Sequence, residues 1–288
     1  MINSGETVSA NRDIETAAIL LRDVVQKKGN ITALTGAGVS AESGIPTFRG
    51  PEGFWTVGSK EYYPQEMATY GMFRKHPESV WEWYLYRMGL CKKARPNAGH
   101  LALATMESYL GDHFTIITQN VDNLHLLAGN SPSRTFQIHG NIFQVRCASP
   151  CSDEVLPLPE GLSAKEKGER LTENEREHLT CPSCGDWLRP HVLWFDETYN
   201  EHHFRFASAI ETAKNTRLLI SVGTAGATNL PNQIAGLVFA NHGLMIDINV
   251  ADNPFASLAK MSKRGIFLQR SSSEALAALA ETVASVKK

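Results

Sequence analysis

Ile31-Thr32-Ala33-Leu34-Thr35-Gly36-Ala37-Gly38-Val39-Ser40-Ala41-Glu42-Ser43-Gly44-Ile45-Pro46-Thr47-Phe48-Arg49 is the stretch on which the reading of this 288-residue chain turns. The apolar run Ile31 to Leu34 is too short for a helix and enters a glycine-rich turn. The residues before it, 12 to 28, carry apolar positions at helical spacing until Asn30 breaks the pattern, so the order is helix, strand, loop. Glycines let the backbone turn sharply and approach a ligand, and a helix start behind them offers free N–H groups to a pyrophosphate. The spacing is not the standard dinucleotide fingerprint: the next glycine comes six residues after Gly38, and no acid stands obviously at the end of a second strand. As a bare glycine loop it fits a structural turn as readily as a nucleotide cradle.

Working outward, Phe114 to Thr118, Leu218 to Val222 and Leu244 to Ile248 are apolar, rich in branched residues and short, as buried parallel strands are. Helical patterns at 97–110, 201–214, 232–241 and 273–287 alternate with them, which predicts an α/β fold with a doubly wound, Rossmann-like parallel sheet. In such sheets ligands bind at the carboxyl ends of strands. Two segments interrupt the alternation. The reading divides the chain into a Rossmann-like domain (12–48, 95–146 and 190–288), a helical insertion at 49–94 and a cysteine-bounded module at 147–189, the latter two forming a smaller lobe. Residues 162–180, LSAKEKGERLTENEREHLT, read as a solvated surface helix.

Bulk composition is consistent with a packed core and excludes several roles. Apolar residues make up 42% of the chain and the net charge is −2 with the signs interspersed, so there is neither the signature of disorder nor a basic footprint for nucleic acid or an anionic membrane. The polar start MINSGETVSANRD lacks the apolar core of a signal peptide, and no stretch approaches a membrane span, so a cytoplasmic location is expected. Five cysteines in a reducing compartment do not form a disulfide framework. Cys147 and Cys151 are separated by three residues and Cys181 and Cys184 by two, with twenty-nine between the pairs. Two close pairs suit a tetrahedral thiolate site, and Cys-Pro-Ser-Cys-Gly reads as a knuckle aiming both sulfurs at one point, so one structural zinc ion is expected, with no open position. Cys91, in an aromatic helix, reads as core.

The string from Gly36 to Arg49 closely resembles the first signature of the sirtuin family. Thr118-Gln119-Asn120-Val121-Asp122-Asn123-Leu124-His125 resembles the second, Ile138-His139-Gly140 the third, and Gly223-Thr224 and Ile248-Asn249 follow the late strands as in that family. The resemblance implies an NAD-dependent protein-lysine deacylase. Gly36, Ala37, Gly38, Ile45, Phe48 and Arg49 would line the diphosphate and nicotinamide end. Gln119, Asn120 and Asp122 would hold the nicotinamide ribose and carboxamide, and Gly223, Thr224, Ala225, Asn249 and Val250 the adenosine half. A further cofactor position falls around Leu268. The four cysteines match the family's zinc site.

A lone histidine among ten is ordinarily a packed or surface residue; its place in the third signature makes His139 the implied general base, with Asn120 assisting. The acyl group would pass from lysine to ADP-ribose, releasing nicotinamide and free lysine. Tyr84 and Arg87 lie three apart on one helix face, where they could be a core stripe with a charged edge. Family members that remove succinyl and malonyl groups carry this Tyr-x-x-Arg pair and a small residue matched by Ala68. The resemblance therefore implies that the phenol and guanidinium hold the distal carboxylate of an acid acyl group. Arg189 to Glu197 resembles the strand on which the substrate peptide lies, with Val192 and Phe195 toward it. The sequence departs from the family at Asp196, where glycine is usual, and in the Gly223–Pro231 loop, where Ala225 replaces a usual serine and the proline comes late. Two alternatives accompany this reading: an NAD glycohydrolase or ADP-ribosyltransferase using the same pocket, and a non-catalytic NAD-binding module. Acyl-lysine proteins or peptides are the expected partners, and nothing in the sequence demands more than a monomer.

Overall fold

The computed structural model describes residues 4–46, 55–57, 60–261 and 263–287. Its strands are β1 (Ile31–Thr35), β2 (Trp55–Val57), β3 (Lys60–Tyr62), β4 (Phe114–Thr118), β5 (Thr135–Gln137), β6 (Gly140–Cys147), β7 (Leu156–Pro157), β8 (Leu188–Val192), β9 (Leu218–Val222), β10 (Leu244–Asn249) and β11 (Gly265–Gln269). Six of them form one sheet in the order β11-β10-β9-β1-β4-β5, and every pairing within it is parallel. The chain builds outward from β1 through β4 to β5, then returns to the other side of β1 and runs outward again through β9, β10 and β11. The order therefore reverses between β1 and β9, which is where a doubly wound sheet opens a crevice.

The strands are apolar on both faces because both are covered by helices. On one face Ile31, Ala33, Ile116, Ile220 and Ile246 pack with residues of the helices Ser4–Gln26, Ala98–Leu110 and Ser272–Lys287. On the other, Leu34, Ile117, Leu219 and Met245 meet the helices Phe206–Asn215, Asn229–Ala240 and Pro254–Lys260. A third core has a different origin. Trp81, Leu85 and Met88 of the helix Pro77–Lys93 pack on Ile142 and Val145 of β6 and on Leu188 and Val192 of β8. The Trp81 indole N–H donates to the Leu188 carbonyl at 2.8 Å, so this fully buried indole leaves no orphan donor. β6 lies antiparallel between β7 and β8.

Several sequence expectations need correction. The 201–214 helix is two helices, Glu201–Phe204 and Phe206–Asn215, separated by Arg205 in the left-handed region at φ 54°; its guanidinium lies 4.8 Å from the Phe136 ring. Residues 162–180 are not a solvated surface helix. Only Glu173–His178 is helical, Leu162, Leu171 and Leu179 enter the third core, and Lys165 is buried in an ion pair with buried Glu175 at 2.8 Å. Charge density concealed an apolar residue every eight or nine positions. The first helix begins at Ser4 rather than 12. Leu268 is 1% exposed within a core, which removes its side chain from the cofactor set. Cys91 is buried, as expected. Phe48 and Arg49 lie outside the described residues.

Candidate active site

The crevice between β1 and β9 is held by backbone contact. Gly36 N donates to the Val222 carbonyl at 3.0 Å and Gly38 N to the Gly223 carbonyl at 2.8 Å. A Cβ on Gly38 would lie 2.6 Å from Gly223 Cα, and one on Gly223, whose φ is +60°, would lie 2.5 Å from Val39 N. Only glycine permits this approach and this backbone angle. The two loops expected to flank the NAD diphosphate and adenosine are thereby locked together, with Ala37 and Gly38 partly open to the crevice. Asn249, at the end of β10, donates its amide to the Thr224 carbonyl at 2.9 Å. Ala225 and Val250 are exposed at the same rim.

At the end of β4 the chain supplies a polar cluster. Asn120 is 8% and Asp122 6% exposed, a burial that such groups sustain only with partners. Asn120 Nδ2 donates to the Gly36 carbonyl at 3.1 Å and to Ser40 Oγ at 3.0 Å. Ser40 donates to Asp122 at 2.7 Å, and Asp122 also accepts from Leu124 N at 2.9 Å. Burial raises the Asp122 carboxyl above the usual carboxylate range. Ser40 is thus the hinge of the cluster. The sequence reading passed over it because a serine inside a glycine loop has no distinguishing neighbour in the chain.

His139 stands between β5 and β6. Its Nδ1 is 2.9 Å from the Gln119 carbonyl and its Nε2 2.8 Å from the Tyr199 hydroxyl. A carbonyl only accepts, so Nδ1 carries the hydrogen and Nε2 the lone pair. Burial pushes the imidazole down to about 4, against an opposing contribution from the Gln119 hydrogen bond. It is therefore neutral near pH 7 and able to accept a proton. Gln119 is itself fixed, donating to Thr224 Oγ1 at 2.8 Å and accepting from Thr228 Oγ1 at 3.1 Å. Ile45, expected at the nicotinamide end, is buried in the third core.

The expected acyl pocket lies in that same core. Tyr84 and Ala68 are buried, and the Tyr84 hydroxyl accepts the Trp194 indole N–H at 2.8 Å. Burial raises the Tyr84 phenol, so it stays protonated, and with its oxygen occupied by the indole its own hydrogen is available for donation. The Arg87 guanidinium sits 5.6 Å from the Trp83 ring centroid. Trp194 is braced by Arg189, whose guanidinium lies 3.4 Å from the indole centroid and which pairs with Glu197 at 2.8 Å. Val192 is buried, whereas Phe195 is 57% exposed beside it. Asp196, the departure from the glycine pattern, accepts from Tyr70 N at 2.7 Å and Gly71 N at 2.9 Å. It ties the end of this segment to the start of the helix Tyr70–Lys75.

The four cysteine sulfurs all lie within 4.8 Å of one another. Cys147 to Cys184 is 3.5 Å and Cys151 to Cys181 is 3.7 Å. A tetrahedron with zinc–sulfur bonds of about 2.3 Å has edges of about 3.8 Å, so the donor set fits zinc in both chemistry and spacing. Cys147 ends β6, and the Cys181–Cys184 knuckle precedes β8, so the metal would clamp the open end of the hairpin-like β6 and β8 pair.

Comparison with known proteins places the chain in a family. The family model described as "Sir2 family" matches residues 36–229. A protein of Leptospira interrogans named NAD-dependent protein deacylase is 40% identical, the match covering 85% of this chain and 89% of that protein. A protein of the same name from Pyrococcus furiosus is 36% identical over 92% of this chain and 97% of its own. A solved structure described as a Sir2 homolog–NAD complex superposes with a TM-score of 0.76 at 30% identity, covering 95% of each chain. With its loops meeting at the sheet's switch point, its buried imidazole and its four-sulfur cluster all inside the matched region, the chain belongs to the Sir2 family.

Proposed function

We propose that this chain is an NAD-dependent protein-lysine deacylase that transfers an acyl group from lysine to ADP-ribose, with nicotinamide and free lysine as the other products. The observation that carries the reading is the neutral His139 imidazole, oriented by the Gln119 carbonyl beside the Asn120–Ser40–Asp122 cluster at the switch point. NAD supplies the electrophilic ribose carbon and its leaving group. Gly36, Gly38, Gly223 and Thr224 provide the close backbone wall for the dinucleotide, with Ala37, Ala225, Asn249 and Val250 along it. Asn120 and Asp122 orient the nicotinamide ribose without needing to reorganise as charge develops, because each is already bonded in place. His139 Nε2 receives the proton that a ribose hydroxyl gives up. Cys147, Cys151, Cys181 and Cys184 would hold a zinc ion whose role is structural, clamping the ends of β6 and β8 rather than supplying a Lewis acid.

The acyl group removed carries a distal carboxylate. Tyr84 has a phenol hydrogen free of its Trp194 partner, Arg87 is on the same helix face one turn on, and Ala68 leaves room. The peptide would lie along the segment ending at Phe195, whose exposed ring is available to it. The test is nicotinamide release by the purified protein with NAD and matched succinyl-lysine, acetyl-lysine and unmodified peptides. Release that requires an acylated peptide and is fastest with succinyl-lysine supports both parts of the proposal. Release without any peptide replaces it with an NAD glycohydrolase, and equal rates for the two acyl groups remove the acid-acyl assignment alone.

A further inference from the structure

The group set against the accepting nitrogen of His139 has no counterpart among the expected site residues. Tyr199 lies in the segment between β8 and the helix Glu201–Phe204, and its hydroxyl is 2.8 Å from His139 Nε2. Because Nδ1 already gives its hydrogen to a carbonyl, Nε2 carries the lone pair and the phenol is the donor. The phenol is held from several sides. Its ring stacks on Phe206 with centroids 6.2 Å apart and lies 5.9 Å from the imidazole. The Thr228 hydroxyl, which gives its hydrogen to Gln119 Oε1 at 3.1 Å, lies beside the phenol oxygen. The residue whose carbonyl fixes one side of His139 thus also holds, through its own side chain, a neighbour of the group that fixes the other.

A hydroxyl that is to protonate Nε2 must either expel Tyr199 or react through it. The stacked ring and the hydrogen bond to Nε2 oppose expulsion. We propose that Tyr199 is a proton relay, passing the ribose hydroxyl's proton to His139 while remaining in place. The inference rests on the deacylase reading. In the step, the substrate O–H bond breaks and its proton goes to Tyr199 Oη as the Tyr199 O–H proton passes to His139 Nε2. The substrate oxygen keeps the electron pair with which it attacks, and the imidazolium keeps its Nδ1–H on the Gln119 carbonyl. Burial raises the phenol to about 12, so it enters the step protonated and no phenolate needs to accumulate.

Titratable groups on the surrounding elements are engaged elsewhere. Asp122 faces Ser40 and Leu124 N. His191 on β8 stacks on Phe204 and faces His203. Glu197 pairs with Arg189 and Arg146. Among the described residues, Tyr199 is the one titratable side chain hydrogen-bonded to His139.

The experiment compares wild type with Tyr199→Phe, which keeps the ring. Nicotinamide release with acyl-lysine peptide is followed across pH, and His139 Cε1–H is titrated by NMR without NAD. We expect kcat to fall roughly 10- to 100-fold, with KM for NAD changed less than about twofold. A donor bonded to the neutral imidazole favours that form, so its removal should raise the His139 pKa by about half to one unit. The acid limb of the rate profile should move to higher pH with it. An unchanged kcat, a faster variant or an unmoved His139 titration overturns the relay while leaving the deacylase reading intact, provided wild type turns over. A wild type that releases no nicotinamide overturns that reading, and the relay with it.

Discussion

Replacing Gly38 with alanine tests whether the crevice depends on backbone contact rather than on any side chain. The new Cβ would stand 2.6 Å from Gly223 Cα and 2.8 Å from the Gly223 carbonyl oxygen. Neither neighbour is the end of a flexible side chain, so relief requires the β1 and β9 loops to part by about 1 Å before carbon contacts return to about 3.6 Å. Overpacking of this kind costs about 1–3 kcal/mol of stability. The functional loss should be larger, because a 1 Å displacement of groups that position a reacting centre costs on the order of 100-fold in rate. The assay is kcat/KM for NAD with a saturating acyl-peptide, read alongside the urea unfolding midpoint. Gly236→Ala serves as the control: an alanine Cβ there meets nothing within 4 Å on the exposed side of the helix Asn229–Ala240, so it should leave activity alone and add about 0.5–1 kcal/mol. A Gly38→Ala protein with kcat/KM within about threefold of wild type would refute the argument.

Other outcomes follow from the same geometry. Arg87→Met should lower kcat/KM for succinyl-lysine roughly 10- to 100-fold, the value of one charged hydrogen bond, with acetyl-lysine changed far less; equal losses would show a packing role. Purified protein should contain one zinc per chain, and Cys181→Ser should lose it together with hydrogen-exchange protection across β6 and β8 while the parallel sheet stays protected; full metal content in that variant would rule out the site. Burial depresses His100 to about 4, His125 to about 3, His139 to about 4 and His191 to about 3. Each binds protons more readily unfolded, at about 6.5, so the stability they confer is complete above that pH and drains away as pH falls through their folded values. Urea midpoints that do not fall between pH 7 and 4.5, or histidine signals titrating near 6.5 in the native protein, would contradict it.

What the residues declared in advance was the part of the molecule governed by short-range pattern. Phe114 to Thr118 and Leu218 to Val222 are strands with the bounds expected of them, because a run of branched apolar residues too short for a helix has few other stable uses. The cysteine pairs likewise announced their cluster, since two knuckle spacings constrain four sulfurs almost without reference to the rest of the chain. Misreadings arose where distant partners override local composition. Residues 162–180 look solvated in sequence, yet Lys165 finds Glu175 and three leucines find the third core. The 201–214 pattern carries no mark of the break at Arg205, where the guanidinium meets Phe136 of β5.

The sequence by itself determined the fold class, the glycine loop, the pairing of the four cysteines and, through its signatures, the family. The tertiary structure alone decided how these meet: that Gly38 and Gly223 touch, that Ser40 joins Asn120 to Asp122, that the Trp194 indole donates to the Tyr84 hydroxyl, and that Tyr199, sixty residues along the chain, sits on the accepting nitrogen of His139. The reason is physical. Strand and ligand patterns are written over a few consecutive residues, whereas a hydrogen bond between side chains far apart in the chain depends on sheet order and packing that no local stretch encodes.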